Sequence, residues 1–119
     1  RSNWTLGVTS SRDHPPLSRM LELGITLHLG TDNAMFVQPD PWAEMAFTAT
    51  AYRVDPREIL ASAIRGAHRF LGGGSIAEGS PARFLVIDPA GSSLPFSRAP
   101  VTSLERRAGP SDITEKYLF

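Results

Sequence analysis

The stretch GITLHLGTDN, residues 24–33, decides the fold that we expect for this chain of 119 residues. Residues 25–30 are short, largely apolar and flanked by glycines, which is typical of a buried strand in a parallel sheet covered on both faces. The apolar residues of the preceding segment 17–23 fall on one helical face, and Gly24 is a typical helix stop. A helix followed closely by a buried strand is half of a β/α repeat, so the sequence predicts an α/β fold.

Two further helices are predicted from residues that mark helix ends. Asp40 is a typical N-cap for a helix that begins at Pro41 and runs to about Tyr52. A second helix is expected to begin after Asp55 and to end before the glycines at residues 72–74. Because those glycines follow a helix and do not open one, we interpret them as a helix stop and not as a phosphate cradle.

In the last third of the chain the sequence pattern changes from one typical of helices to one typical of strands. Strands are expected over residues 82–87 and within residues 113–118. Residues 92–110 lie between them, contain Pro95, Pro100 and Pro110, and are expected to be irregular.

Composition excludes several classes of function. The chain has 12 basic and 12 acidic residues and no net charge, so it lacks the basic surface of a nucleic-acid-binding protein. It has no apolar run of ~18 residues that could cross a bilayer. It has no Cys, which excludes a disulfide framework and a Cys nucleophile and fits a cytoplasmic setting. Because it opens with Arg1 and not Met, we expect it to be part of a longer protein, with a processed terminus as the alternative.

Asp32 is the residue most informative about chemistry, because it lies two residues beyond the predicted buried strand. The carboxyl ends of strands are where α/β barrels place their catalytic groups. A carboxylate there can ligate a divalent metal or act as a general base toward a metal-bound water. The alternative, which spacing alone favours, is that Asp32 caps the following turn.

The three histidines form neither a His-X-His nor a His-Glu-X-X-His pattern. His28 can line a barrel interior or pack in the core with a hydrogen bond, and the second interpretation is favoured because one imidazole does not make a metal site. His14 is expected to be solvated in its proline-rich loop. His68 is expected near the C-terminus of a helix, where a cation complements the helix dipole.

Taken together, these segments resemble the C-terminal part of enzymes of the amidohydrolase superfamily. The nearest subgroup is that of the cytosine deaminase, chlorohydrolase and S-adenosylhomocysteine deaminase-like enzymes. There a Ser-Asn pair follows the seventh barrel strand, the eighth strand ends in Gly-Thr-Asp, and a glycine-rich segment returns the chain to a small β-sandwich. The similar segments here are RSN at residues 1–3, residues 16–23, GITLHLGTDN at 24–33, GGSIAEGSPA at 73–82, RFLVID at 83–88 and RAGPSDI at 107–113.

The resemblance implies the C-terminal portion of a (β/α)8 metallo-hydrolase barrel over residues 1–72, with its last strand and helices, and strands of a small β-sandwich domain over residues 73–119. It implies that Asp32 is both a metal ligand and the catalytic group that shuttles the proton of the attacking water. It also implies that Asn33, Asn3 and Ser2 border the substrate pocket.

The chain departs from the family pattern in three places. Arg83 follows Ala82 where the sandwich strand usually has Asp, and residues 10–16 are longer than the usual approach to the helix. The His-X-His pair and the two later histidines that complete the metal site belong to earlier strands and are not among these 119 residues.

The expected function is that of the C-terminal part of a metal-dependent hydrolase that deaminates a nucleobase-like or related heterocycle. Its cofactor would be a divalent metal ion, zinc or alternatively iron, and its partner a small-molecule substrate, with no nucleic acid or membrane; homo-oligomerisation is left open. The 119 residues alone are expected to be inactive. Two alternatives remain: a stand-alone, non-catalytic α/β binding or assembly module, and a related amidohydrolase that is non-catalytic and structural.

Overall fold

Four α-helices and two strands are found in the computed structural model, which describes residues 14–32, 34–35, 37–71, 75–91 and 94–119. No helix among these residues is long and apolar enough to cross a membrane. The elements are α1 (Leu17–Glu22), α2 (Pro41–Ala51), α3 (Pro56–Leu71), β1 (Arg83–Ile87), α4 (Pro100–Arg107) and β2 (Ile113–Leu118), with single 3-10 turns at Pro89–Gly91, Leu94–Phe96 and Pro110–Asp112.

Helix α1 ends as the sequence predicts. Gly24 has a φ of 73°, a backbone conformation that glycine adopts without a Cβ clash. Its N–H donates to the Leu21 carbonyl at 2.9 Å, and the next N–H, of Ile25, donates to the Met20 carbonyl at 2.9 Å. This pair of bonds is the Schellman arrangement, which satisfies the last carbonyls of a helix. The predicted helix stop at Gly24 is confirmed.

The starts of α2 and α3 are also confirmed. The Asp40 carboxylate accepts a hydrogen bond from the Trp42 N–H at 3.0 Å, and the Asp55 carboxylate accepts one from the Arg57 N–H at 2.7 Å. Each bond satisfies an N–H that has no partner within the helix. Helix α3 ends at Leu71. The glycines at residues 72–74 lie outside the described residues.

A small apolar core lies where α2, α3 and α4 pack against one another. Its fully buried members are Met45 and Ala49 of α2 and Ile59 of α3, which are 3%, 6% and 2% exposed. The partly buried side chains packed against these three are Leu29, Trp42, Val54, Leu60 and Ala63.

The prediction that residues 92–110 are irregular is wrong, because α4 occupies residues 100–107. Pro100 is at the first helical position, where a missing N–H costs no helix hydrogen bond, so this proline begins a helix and does not prevent one. Helix α4 is tied to α2 by Arg106, whose Nη2 donates to the Ala49 carbonyl at 3.0 Å.

The two predicted strands are confirmed and pair with each other in antiparallel orientation. Phe84 of β1 lies opposite Tyr117 of β2, and their rings stack with centroids 4.5 Å apart. Cross-strand aromatic pairs of this kind stabilise a sheet beyond the area they bury.

The β1–β2 ladder contains one irregularity near its end. Val86 pairs with Glu115. The next residue, Ile87, pairs with Ile113, so Thr114 is an extra residue in β2 with no partner of its own. The Thr114 hydroxyl donates to the Val86 carbonyl at 3.4 Å. This two-against-one arrangement is a β-bulge.

Residues 25–30 are not a strand in this structure, although the sequence predicts one there. A parallel strand needs neighbouring strands for its backbone groups, and the only strands among the described residues, β1 and β2, pair with each other. The segment is held instead by the Leu29 N–H, which donates to the Ser62 carbonyl of α3 at 3.2 Å. The barrel portion over residues 1–72 and the sandwich strands over residues 73–119 stay predictions.

One buried carboxylate lies at the packed face of α4. Glu105 is 1% exposed, and within the part of the chain that the structure describes neither of its oxygens accepts a hydrogen bond. Burial raises its pKa above the ordinary value of 4.5, the nearby Asp55 raises it further, and Arg106 opposes the rise. The Arg106 Nε lies 3.7 Å from Oε1, which is the distance of an ion pair and too long for a hydrogen bond.

We expect Ile59→Ala to lower the free energy of unfolding by about 2–5 kcal/mol, because it removes an apolar side chain of α3 that is only 2% exposed and leaves a cavity. The control is Ile64→Ala in the same helix, which removes a side chain that is 43% exposed and is expected to cost less than about 1 kcal/mol. Urea denaturation followed by circular dichroism measures both. Equal losses would contradict the core described above.

A second stability prediction concerns pH. Because the pKa of Glu105 is raised in the folded state, its contribution to stability is fully present below the ordinary value of 4.5 and is lost as the pH rises through the raised pKa. Glu105→Gln should therefore raise the melting temperature at about pH 7 and change it much less at about pH 4. Glu78→Gln, at an exposed position, is the control. A gain that is the same at both pH values would contradict the prediction.

Candidate functional site

Asp32 lies on an exposed turn between the segment 25–30 and the loop that leads into α2. Among the described residues, none donates a hydrogen bond to its carboxylate. An exposed carboxylate without an internal partner is available to a group outside the segment, whether a cation or a proton donor. The side chain on which the predicted chemistry depends, that of Asp32, is thus accessible in this structure.

The backbone before Asp32 is anchored to α3. The Leu29 N–H donates to the carbonyl of Ser62, a residue that is 2% exposed. The Ser62 hydroxyl in turn donates to the Ile59 carbonyl at 2.6 Å, one turn back in the same helix. The anchor point is therefore part of the buried core and not a surface contact.

A second anchor ties the residue next to Asp32 to α2. The Thr31 hydroxyl donates to Oε1 of Glu44 at 3.1 Å, and Glu44 is only 4% exposed. Glu44 lies in the first turn of α2, where the helix dipole favours a negative charge. The Thr48 hydroxyl donates to the Glu44 carbonyl at 2.8 Å, within the same buried face.

The loop that carries Asp32 is also fixed where it enters α2. Asp40 caps the helix through the Trp42 N–H, and the Asp40 carbonyl accepts from the Glu44 N–H at 3.1 Å. Both ends of the loop, at Thr31 and at Asp40, are therefore bonded to the first turn of the same helix. Asp32 directly follows the first of these two bonded residues, Thr31.

The remaining predicted site residues are Ser2, Asn3 and Asn33, and all three lie outside the described residues. Their predicted place at the substrate pocket stays a prediction.

The structure corrects two of the histidine predictions. His28 is exposed, so its predicted packing in the core is wrong; its neighbours Leu27 and Leu29 take the half-buried positions because this segment alternates like an extended chain. His14 is half-buried and meets the Tyr52 ring edge-on with centroids 6.3 Å apart, so the prediction of a solvated side chain is wrong. His68 lies in the last turn of α3, as predicted.

The described residues do not by themselves form a metal site. Nowhere among them are three His, Cys, Asp or Glu side chains grouped so that they could hold a metal ion. A catalytic zinc site needs three protein ligands in a defined geometry. Asp32 has the right chemistry for one ligand of a divalent cation, and the other ligands would have to come from elsewhere.

Sequence reasoning missed the partnership of Thr31 and Glu44. A signal was present, because Glu44 falls at the helical spacing of the buried face that Met45, Thr48 and Ala49 define. A carboxylate on the buried face of an amphipathic helix needs a hydrogen-bond donor, and several residues near Glu44 in the sequence carry such donors. Which donor it takes follows only from the three-dimensional packing.

Comparison with known proteins gives a family match that includes Asp32 and the residues that anchor it. The family model described as "Amidohydrolase family" matches residues 7–112, which include both anchors and Asp32. A protein of Methanothermobacter thermautotrophicus named "Putative aminohydrolase" is 42% identical over 94 residues, which is 74% of this chain and 23% of that protein. The chain therefore spans about a quarter of the length of this relative. No solved structure gives a significant match to the chain.

We expect Asp40→Ala to lower the free energy of unfolding by about 0.5–2 kcal/mol, because the Trp42 N–H loses its acceptor at the start of α2. Asp40→Asn is the matched control, since the amide oxygen can still accept that bond and should preserve most of the stability. Urea denaturation of the two variants provides the test. A loss of the same size in Asp40→Asn would show that the cap is not the cause.

Proposed function

The chain belongs to the amidohydrolase family, and on that premise we propose that Asp32 is its contribution to an active site that hydrolyses a C–N bond. The observation that carries this proposal is the exposed Asp32 carboxylate, which accepts no hydrogen bond from the described residues and follows a segment bonded at Leu29 and Thr31 to buried residues of α3 and α2. Catalytic groups must be held within a fraction of an ångström of their working position, and such anchoring serves that need.

In this proposal Asp32 moves the proton of the attacking water. Its carboxylate accepts the proton as the water oxygen bonds to the substrate carbon, and it returns the proton to the nitrogen as the C–N bond breaks. A divalent metal ion would lower the pKa of a water molecule bound to it. Zinc is our first choice for this metal and iron the alternative. Its ligands other than Asp32 would come from outside the described residues.

The finer assignment is to the cytosine deaminase, chlorohydrolase and S-adenosylhomocysteine deaminase-like subgroup, with deamination of a nucleobase-like or related heterocycle as the reaction. Its support is the order of RSN, GTDN and GGSIAEGSPA along the chain, at residues 1–3, 30–33 and 73–82. The printed name of the relative, an aminohydrolase, agrees with release of an amino group. Ser2, Asn3 and Asn33 would border the substrate in this scheme.

The corresponding fold proposal is that residues 25–30 form the last strand of a (β/α)8 barrel whose earlier strands lie outside this chain. The segment follows helix α1, alternates between exposed and half-buried positions over residues 26–30 and leaves Ile25 44% exposed, as a strand without its neighbours would. A barrel of this type needs ~200–250 residues, more than these 119. Accordingly, we propose that these residues alone are not an active hydrolase.

The test is Asp32→Asn in the complete protein as its gene encodes it. We expect kcat to fall by about 10²–10⁴-fold, the usual contribution of a general base, while the melting temperature changes little because Asp32 is exposed. Asp88→Asn, at an exposed turn after β1, is the matched control and should keep full activity. The assay is ammonia release from a set of amino-substituted pyrimidines and purines.

Two outcomes would overturn parts of the proposal. Full turnover by Asp32→Asn would remove Asp32 from the reaction. Absence of hydrolysis by the unmodified, metal-loaded protein across the whole substrate set would instead favour the non-catalytic module.

A further inference from the structure

We propose that Glu44 is a positioning residue: its buried carboxylate holds the Thr31 hydroxyl and thereby sets the direction of Asp32. The proposal rests on the function proposed for Asp32 and adds to it a residue 12 positions further along the chain. Glu44 touches neither substrate nor reacting atoms in this scheme and affects Asp32 through Thr31.

The burial of Glu44 is the first step of the argument. A carboxylate that is 4% exposed loses its hydration, and this loss is costly unless hydrogen bonds replace the water. The same face of α2 carries Met45 and Ala49 of the apolar core beside Thr48, so an aliphatic side chain at position 44 would pack there without this cost of lost hydration. What the carboxylate provides that an aliphatic group cannot is an acceptor for Thr31.

The second step is that Gly30 lies between the two bonded residues Leu29 and Thr31. The bond from Leu29 to Ser62 fixes the chain before Gly30, and the bond from Thr31 to Glu44 fixes it after Gly30. Glycine adopts a wide range of backbone angles, so the first bond alone would leave the direction of the following residues open. The second bond removes that freedom at the residue directly before Asp32.

The third step is that the backbone of Glu44 is itself hydrogen-bonded on both sides. Its N–H donates to Asp40, its carbonyl accepts from Thr48, and the next residue, Met45, is 3% exposed in the core. The bond from Thr31 to this acceptor transmits the position of α2 to the turn that carries Asp32. Groups of this kind around an active site typically change activity by about 10–100-fold when they are removed.

The experiment uses the complete protein and compares Thr31→Val with Thr31→Ser. Valine has the shape of threonine without the hydroxyl, whereas serine keeps the hydroxyl. We expect Thr31→Val to lower kcat by about 10–100-fold with KM changed by less than about threefold, and Thr31→Ser to restore most of kcat. Thr50→Val is the matched control, because Thr50 is an exposed threonine of α2, the helix that carries Glu44, and its hydroxyl donates to the Ala46 carbonyl of that helix.

Glu44→Leu is the second variant. It removes the acceptor of the Thr31–Glu44 hydrogen bond, whereas Thr31→Val removes the donor. The double variant Thr31→Val with Glu44→Leu should lose no more kcat than the worse single variant, because either change already breaks the same bond. Losses that multiply in the double variant would show that the two residues act separately and would overturn the proposal.

A readout other than activity is amide hydrogen exchange across residues 30–40. Exchange should be faster in Thr31→Val and Glu44→Leu than in the unmodified protein, with Thr31→Ser and Thr50→Val unchanged. Unchanged exchange in Thr31→Val would overturn the proposal even if its activity fell.

The outcomes separate this proposal from the one on which it rests. If Asp32→Asn loses turnover while Thr31→Val and Glu44→Leu keep it, Glu44 is not a positioning residue and the role of Asp32 stands. If Asp32→Asn keeps turnover, both proposals fail. Equal losses in Thr31→Val and Thr31→Ser would show that the hydroxyl is not responsible and would overturn the role of Glu44.

Discussion

The mutual packing of α2, α3 and α4 is the constraint on which the rest of the described structure depends. Met45 and Ala49 come from α2 and Ile59 from α3, and α4 adds the Arg106 bond to the end of α2. The turn that carries Asp32 has no core of its own and takes its position from these helices through Leu29 and Thr31. A change in the angle between α2 and α3 would therefore move the two anchors of Asp32 relative to each other.

The helix ends were predictable because their signals are local. Asp40, Asp55 and Gly24 each act on backbone groups within a few residues, so the sequence alone identifies them. Helix α4 escapes the sequence prediction because the three prolines within residues 92–110 indicate irregular structure, although proline at a first helical position, as at Pro100, is favourable. The strand predicted at residues 25–30 is not formed in this structure, because a strand depends on neighbouring strands that the periodicity of its own sequence does not reveal.

The candidate site likewise has one part that the sequence predicts and one part that it does not. Asp32 stands out from the Gly-Thr-Asp motif and from its place after an apolar segment, and both are features of a few consecutive residues. The bond between Thr31 and Glu44 spans a loop and a helix turn, and its formation depends on how α2 packs. Polar interior residues such as Glu44, Ser62 and Glu105 are thus the part of the structure that pattern reasoning captures least.

The β-bulge at Thr114 has a consequence for how this sequence can change in length. Elsewhere in the β1–β2 ladder, gaining or losing one residue would transfer all following side chains to the opposite face and separate pairs such as Phe84 and Tyr117. At the bulge the backbone already accommodates one residue without a partner. Insertions and deletions that arise during divergence of the family should therefore be tolerated at this position and be eliminated from the centre of either strand.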